Sequence, residues 1–413
     1  MAQNYRFMSV QANAIWLLLE RAGTLALALA FTAWVARQLG EAAFGQWVWL
    51  AALTYLGNTF TTFGTDTLLI RNLAQTHTYH QVSAALVWQL TLTCVWWLVI
   101  FLTLIFVPTA LRWPLIIASL ALWPLAFYSV FSAVLRAYQQ MLRFMVASLG
   151  MAFFQLILAW LWVHAGDGVL KVTVIAACVP LIGAGLAALF LRGVAPVRSF
   201  FVTIPLAEVW AVARSAWPFA ALTGCAVLYQ RLSVLLLAPL TGEVVTGLFS
   251  AAARLADGLK LGHYAVLGAL LPALAQNPRR SKNAAWFLLV LAFGLAFGVS
   301  ILAPTLIQIL FGPRFAPSGT VLAILAWLIV PYTANAYLSV TYVARNAEQA
   351  ALWVNIVGVA LLALALWAVI PRWGLLGTAW AVVLVEAVQA ALFIIISIRW
   401  DAVASLMRRV LTR

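Results

Sequence analysis

The sequence predicts an all-α integral membrane protein with about 12 transmembrane helices in two six-helix lobes, related by a pseudo-two-fold axis along the membrane normal. Three observations lead there. Of 413 residues, 66% are hydrophobic and 8% are charged, with a mean hydropathy of +1.04, whereas a soluble globular chain carries about 25% charged residues. Apolar runs of about 20 residues, enough to cross bilayer hydrocarbon as a helix, recur from end to end. Finally, a short sequence pattern recurs half a chain apart. A soluble enzyme, a secreted disulfide scaffold and a disordered chain are all excluded. Runs this long, and this rich in Leu, Ala, Trp and Phe, also exclude the alternating strands of an outer-membrane barrel.

Cutting each run where a charge or a Gly, Pro or Asn cluster interrupts it gives spans near 12–36, 45–64, 82–107, 113–134, 144–164, 169–191, 215–238, 244–272, 284–310, 319–343, 350–370 and 374–398. The first carries Glu20 and Arg21 and has no small-residue cleavage site behind it, so it reads as a retained helix and not a signal peptide. Asp66, near the inner end of the second span, suits an interfacial cap. Cys94, Cys178 and Cys225 all fall in apolar runs, which predicts free buried thiols. Pro124, Pro180, Pro218, Pro272, Pro304 and Pro331 lie inside spans, where each removes a hydrogen bond and invites a kink. Trp47, Trp113, Trp160, Trp210, Trp286, Trp373 and Trp400 near span ends read as interface anchors. The longest connection, 192–214, leaves no room for a large extramembrane catalytic domain and separates lobe 1–200 from lobe 201–413.

Gly40-Glu41-x-x-x-Gly45-x-Trp47 after the first span and Gly242-Glu243-x-x-x-Gly247-x-Phe249 after the seventh share one pattern. Each copy follows the first helix of a six-helix half, so the sequence predicts a duplication. In each, Glu at a helix start is favoured by the N-terminal dipole. Two facing lobes would enclose a cavity, the place where transporters bind substrate.

The net charge of +14 reflects basic loops on one side. With the N-terminus inside, cytoplasmic segments hold about 15 basic residues, among them Arg71, Arg136, Arg143, Arg279, Arg280 and Lys282, and the opposite loops about five. Both termini are therefore expected in the cytoplasm. No basic run is long enough for nucleic acid.

Seven ionisable residues fall well inside spans: Glu20, Arg21, Arg231, Arg254, Asp257, Lys260 and Glu386. An Arg or Asp at the bilayer centre costs about 2.5–3.5 kcal/mol on insertion scales, so such groups face a bundle interior or a wet cavity. Arg254, Asp257 and Lys260 recur at steps of three on adjoining helix faces. One arrangement pairs Arg254 with Asp257 and Arg21 with Glu386 as braces. Four cations against three anions leave surplus positive charge, which suits an anionic substrate. On this reading Arg21, Arg231, Arg254 and Lys260 bind substrate, and Glu20, Asp257 and Glu386 are their charge partners. His77 and His80 lie in a cytoplasmic loop, His164 at an outer helix end, and His263 one turn from Lys260 as an interhelical hydrogen-bonding group. No His, Cys or Asp cluster has metal-ligand spacing, and no cofactor is expected.

The stretch Gln308-Ile-Leu-Phe-Gly-Pro-Arg-Phe-Ala-Pro-Ser318 resembles the junction between the ninth and tenth helices of Wzx-type polysaccharide flippases, within the multidrug/oligosaccharidyl-lipid/polysaccharide exporter superfamily. Val35–Gly45, Val245–Leu255 and Ile370–Trp380 resemble the same family in the same order. The resemblance implies a bacterial inner-membrane flippase. Such a protein moves a polyprenyl-diphosphate-linked oligosaccharide from the cytoplasmic to the periplasmic leaflet by alternating access, for cell-surface polysaccharide synthesis. It also implies headgroup contacts for Arg21 and Arg254, an environment of membrane lipid, a coupling ion (proton or sodium) and association with polysaccharide assembly proteins. One departure stands out: Arg231-Leu232-Ser233 replaces the Arg-x-Asp pattern of many relatives. The alternatives are a cation or drug exporter of the same superfamily, which calls for surplus acid, and a membrane-embedded polysaccharide polymerase or ligase, which calls for a sizeable outer loop.

Overall fold

The computed structural model describes residues 10–76, 79–276, 278–344 and 348–411; side chains are described for these except at 10–11, 76, 198, 261–276, 278–284, 340–341, 343–344, 348–351 and 397–411. The described residues form helices and no strand: α1 (Val10–Thr62), α2 (Thr65–Thr76), α3 (His80–Thr103), α4 (Thr109–Leu120), α5 (Leu122–Ala137), α6 (Met141–Trp162), α7 (Val169–Leu191), α8 (Leu206–Thr241), α9 (Glu243–Gln276), α10 (Pro278–Phe311), α11 (Ser318–Leu325), α12 (Ile329–Ala344) and α13 (Glu348–Leu411). Helix is what hydrocarbon dictates, because a helix satisfies its own N–H and C=O groups where water cannot. Nine stretches among the described residues are long and apolar enough to cross a membrane.

Two of those stretches fold back on themselves. Within α1 the Phe31 and Trp47 rings meet at 6.2 Å, although a straight helix would hold these residues about 24 Å apart. The reversal is at Gly40, whose φ of 76° and ψ of 177° break the helix. Within α13 a Cβ on Gly358 would fall 2.9 Å from the Gln389 amide, and Gln389 donates to Asn355 at 2.9 Å; a straight helix would separate residues 358 and 389 by about 46 Å. There the break is at Gly374, φ 48°. Spans expected as separate helices at 12–36 and 45–64, and at 350–370 and 374–398, are thus the paired arms of two continuous hairpins. Gly242, the counterpart of Gly40 in the repeated pattern, also has positive φ, 92°, and Glu243 opens α9 behind it.

Contacts divide the chain into two units, one ending at Arg231 and the other beginning at Leu232, inside α8. In the first, α1 packs on α6 and α3, and α5 packs on α7 and α2. Its connection after α7 is shorter than the 192–214 expected, because α8 starts at Leu206 ahead of its apolar run. The early turns of α8 bury Val209 and Val212 beside Leu73, Val134 and Leu191. Phe200 of the connection is 1% exposed, with its ring against Tyr79 at 5.7 Å and Phe131 at 6.3 Å. Burying such a side chain from water is worth about 1.5–3 kcal/mol, so the connection is pinned down. Basic residues at this end are engaged by the protein itself: Arg136 lies 3.6 Å from Asp66, Arg71 covers the Phe219 ring, and Arg143 donates to the Phe190 carbonyl. Asp66 sits in the first turn of α2, where a carboxylate favours the helix dipole.

At the turn between α6 and α7, the Asp167 carboxylate accepts from the His164 backbone N–H at 2.7 Å and from Lys171 at 2.9 Å. The backbone bond, then the lysine, hold its pKa below the usual carboxylate value. The stabilisation it gives the turn is present above that usual value and is lost as pH falls through the depressed one.

In the second unit α10 packs on α9, α11 and α12, and α12 packs on α13. The 308–318 stretch is its chain reversal. Gly312 takes φ 89°, Phe311 and Phe315 are buried with rings 5.8 Å apart, and Ser318 donates to the Leu248 carbonyl at 2.8 Å. Arg314 in the same stretch is exposed. The cysteines are free as expected, but Cys94 and Cys178 are exposed and not buried. A small apolar thiol is as compatible with lipid as with a protein core.

An alanine at Gly242 finds open space and still meets a backbone conformation that costs an L-residue about 1–2 kcal/mol. Gly242→Ala should lower the unfolding temperature of the detergent-purified protein. Gly224→Ala, inside α8 with equal space and no positive φ, should not; equal thermal scans for the two would refute the backbone argument.

Candidate functional site: polar groups within the spans

Glu20 and Arg21 are consecutive on α1, so they leave the helix about 100° apart and meet different surroundings. Glu20 is half-buried and accepts a hydrogen bond from the Ser148 hydroxyl of α6 at 2.6 Å. Arg21 is exposed, and among the described residues it makes no ion pair. Arg231, the last residue of the first unit, lays its guanidinium over the Tyr55 ring at 4.7 Å from the centroid. Its Nε is buried and has no hydrogen-bond partner. Tyr55 comes from the second arm of α1 and is 43% exposed. Sequence reasoning missed Tyr55, since nothing marks one aromatic among so many.

In the second unit the ion pair on α9 joins Asp257 to Lys260, with Oδ1 and Nζ 3.2 Å apart. Asp257 thus has a partner on its own helix besides the Arg254 that the spacing offered it. The same lysine lies 5.7 Å from the Tyr332 ring centroid of α12. Arg254 is half-buried one turn away. Glu386 is 6% exposed, and Asn335 of α12 donates both to its carboxylate Oε1 at 2.8 Å and to its backbone oxygen at 3.1 Å. Both acceptors lie on the amide nitrogen side, which fixes the amide orientation and leaves Asn335 Oδ1 buried without a partner. Neutral amides at 335, 355 and 389 carried no signal in a search for charge.

The remaining polar candidates lie outside this set. His80 opens α3, 4.0 Å from Glu208, and His164 belongs to the Asp167 turn. The side chain of His263, residue His77, and the 279–282 basic side chains lie outside the described residues. Within each unit, then, one cation at span depth lies over an aromatic ring, Arg231 on Tyr55 and Lys260 by Tyr332, and Arg231 keeps an unmet Nε–H. Such groups suit an oxyanion, particularly the planar fork of Arg.

A family model described as polysaccharide biosynthesis protein matches residues 10–278. Among functionally curated proteins, none matches the sequence significantly. Among solved structures, the lipid II flippase MurJ in an inward closed conformation aligns with a TM-score of 0.72 at 10% identity, covering 94% of this chain and 87% of that one. An inward-facing multidrug resistance MATE family transporter of the MOP superfamily aligns at 0.65 with 16% identity, covering 95% and 99%. A MOP superfamily transporter from Pyrococcus furiosus, whose binding pocket is described as of reverse polarity, aligns at 0.56 with 15% identity and 94% of each chain. At such identities the likeness is one of fold, and the fold is that of the MOP transporters.

The Arg231–Tyr55 stack gives a direct test. Tyr55→Phe keeps the ring face and should leave stability unchanged, while Tyr55→Leu removes a contact worth about 0.5–2 kcal/mol. Thermal unfolding of the purified variants measures both, and a Leu variant as stable as the Phe variant would show that the ring does not hold the arginine.

Proposed function

We infer the function of this chain from its family: it belongs to the polysaccharide biosynthesis proteins, the Wzx-like flippases. We propose that it carries a polyprenyl-diphosphate-linked oligosaccharide from the cytoplasmic to the periplasmic leaflet of a bacterial inner membrane by alternating access. The observation that carries the reading is Arg231: a guanidinium at span depth, positioned by an aromatic ring, with a buried N–H that no protein acceptor meets. A diphosphate oxygen is the acceptor such a donor lacks. Arg21 in the first unit, and Arg254 and Lys260 in the second, are substrate-binding residues on the same reading. A cation or drug exporter would require the opposite balance of charge.

Supporting the expected twelve crossings, each of the two hairpins contributes two and α9 has the length of one more beside the nine apolar stretches. The shared positive φ of Gly40 and Gly242 supports the duplication. Association with polysaccharide assembly proteins, and a driving ion, belong to the same proposal.

Surface glycan in a deletion strain complemented with variants tests the substrate contact. Arg231→Ala and Arg254→Ala should abolish export at near-normal membrane levels, because removing a charge lowers the insertion cost. Arg254→Lys should rescue only partly, since a point charge replaces a bidentate fork, and the exposed Arg314→Ala should be nearly silent. Asp257 keeps Lys260 when Arg254 is removed, so adding Asp257→Ala to Arg254→Ala should not restore export; restoration would make Arg254 a brace. Topology has its own check: reporters fused after Lys282 or Arg413 should be cytoplasmic, and periplasmic activity at either would sink the twelve-span arrangement.

A further inference from the structure

Only Phe63 and Gly64 divide the second arm of α1 from α2, and nothing in their chemistry demands a break. Helical bonding closes on Thr59, which accepts from the Phe63 N–H at 3.1 Å, and resumes at Gly64, which accepts from the Leu68 N–H at 3.2 Å. The stretch 45–76 contains no proline. Yet both joint residues have positive φ, 51° at Phe63 and 67° at Gly64. For a bulky aromatic side chain that is a strained conformation.

The inner arm of α8, residues 206–220, imposes it. A Cβ on Gly64 would fall 2.6 Å from Phe219 Cβ and 2.7 Å from the Ala220 nitrogen, so only glycine lets the two backbones meet. The Phe63 ring lies 5.7 Å from Trp88 of α3 and 6.4 Å from Trp217, Trp88 lies 6.0 Å from Trp210, and Arg71 of α2 covers Phe219 at 5.3 Å. The Phe63–Trp88 stack apart, these ring contacts come from α8. Strain is not the seat's only cost. The Trp88 indole N–H is buried and unmet. Gln89, 0% exposed, gives one end of its amide to Thr65 at 2.7 Å and Ser129 at 3.4 Å, while the other end is unmet; turning the amide over only exchanges the atom left out. A strained residue beside two unmet polar groups persists only while the contacts around it over-determine the geometry.

We propose that Phe63–Gly64 is a two-state joint. It is bent while the inner arm of α8 is seated; when that arm lifts away, both residues take helical φ and the second arm of α1 runs straight into α2 as one helix. Straightening relieves Phe63, completes the backbone hydrogen bonds of the residues behind it, and opens the Trp88 and Gln89 groups to water. Seating sets apolar burial against those gains, with Val209, Val212 and Ala216 buried in the same cluster as Leu68 and Leu73. Packed contacts opposed in this way give two discrete arrangements and not a continuum. Because α8 runs on past Arg231 into the second unit, the joint is a latch on a helix that the two units share.

The proposal rests on the flippase reading for what the latch serves, and not for whether the joint moves. Two substitutions push it in opposite directions. Gly64→Ala adds a methyl where α8 sits and penalises positive φ, so it favours the straight state. Thr67→Pro does the reverse: Thr67 is exposed in the first turn of α2, where proline is tolerated, whereas in a continuous helix the ring would clash with the Phe63 carbonyl. Spin labels at Ala74 and Ala211, exposed positions on α2 and α8, report the state in nanodiscs once Cys94, Cys178 and Cys225 are replaced. Gly64→Ala should raise a second, longer distance severalfold, and adding Thr67→Pro should remove it. Trp217→Ala weakens the seat without touching the joint; it should raise the same distance, and it serves if Gly64→Ala fails to accumulate. One broadened distance in place of a second, or a second distance that survives Thr67→Pro, overturns the two-state joint. In the surface-glycan assay Thr67→Pro should lose export at near-normal membrane level, and normal export there would take the joint out of the cycle. Normal surface glycan in a strain lacking the protein would defeat the flippase reading and leave the distances standing.

Discussion

Hydrocarbon offers a polar group nothing to bond with, and the architecture follows from that deficit. Every backbone group inside a span must be met by the chain itself, which permits helices and excludes open strands. Hydroxyls obey the same rule: Thr32, Thr54, Thr246, Ser250, Thr333 and Thr378 each donate to the carbonyl one turn back. Charges obey it through partners close at hand, as Lys260 does with Asp257 and Glu386 with Asn335. Once these local solutions are made, the groups left over are few. Among the described residues they are Arg231 Nε, Asn13 Oδ1, Asn335 Oδ1, Gln89 Oε1 and the Trp16, Trp88 and Trp97 indoles, all buried and unmet. In water such leftovers would be trivial, but at span depth each carries the full cost of a polar group taken from water without a partner.

The same constraint explains what the sequence disclosed. Span positions were legible because hydropathy is the dominant energy, and the turns at Gly40 and Gly242 were legible because only glycine adopts positive φ without penalty. That the arms at Gly40 and Gly374 form uninterrupted hairpins was not legible, since a reversal made by one residue leaves no loop to detect. The start of α8 at Leu206 was hidden for a different reason: Glu208 and Arg214 interrupt its first turns and cut them off from the apolar run that follows. Charged site residues stood out against an apolar background. Their partners did not, because Tyr55, Ser148, Asn335 and Tyr332 belong to residue types that occur throughout the chain for other purposes.

Signature and site have also separated. The 308–318 stretch, which resembles the family although it lies beyond the matched residues 10–278, spends its residues on a chain reversal: Gly312 turns, Phe311 and Phe315 fill, and Ser318 ties α11 to α9. Arg231 sits where the usual acidic neighbour is replaced by Ser233, a buried neutral hydroxyl. Losing that acid does not leave the guanidinium unsupported, since the Tyr55 ring takes over its positioning without neutralising it. A carboxylate there would have competed with an anionic guest for the same N–H groups, whereas a ring face stabilises the cation and leaves its in-plane donors available. A fold shared at 10–16% identity therefore leaves the polarity of this helix position free, and it is the ring face at Tyr55, not the fold, that sets the surroundings of the Arg231 guanidinium.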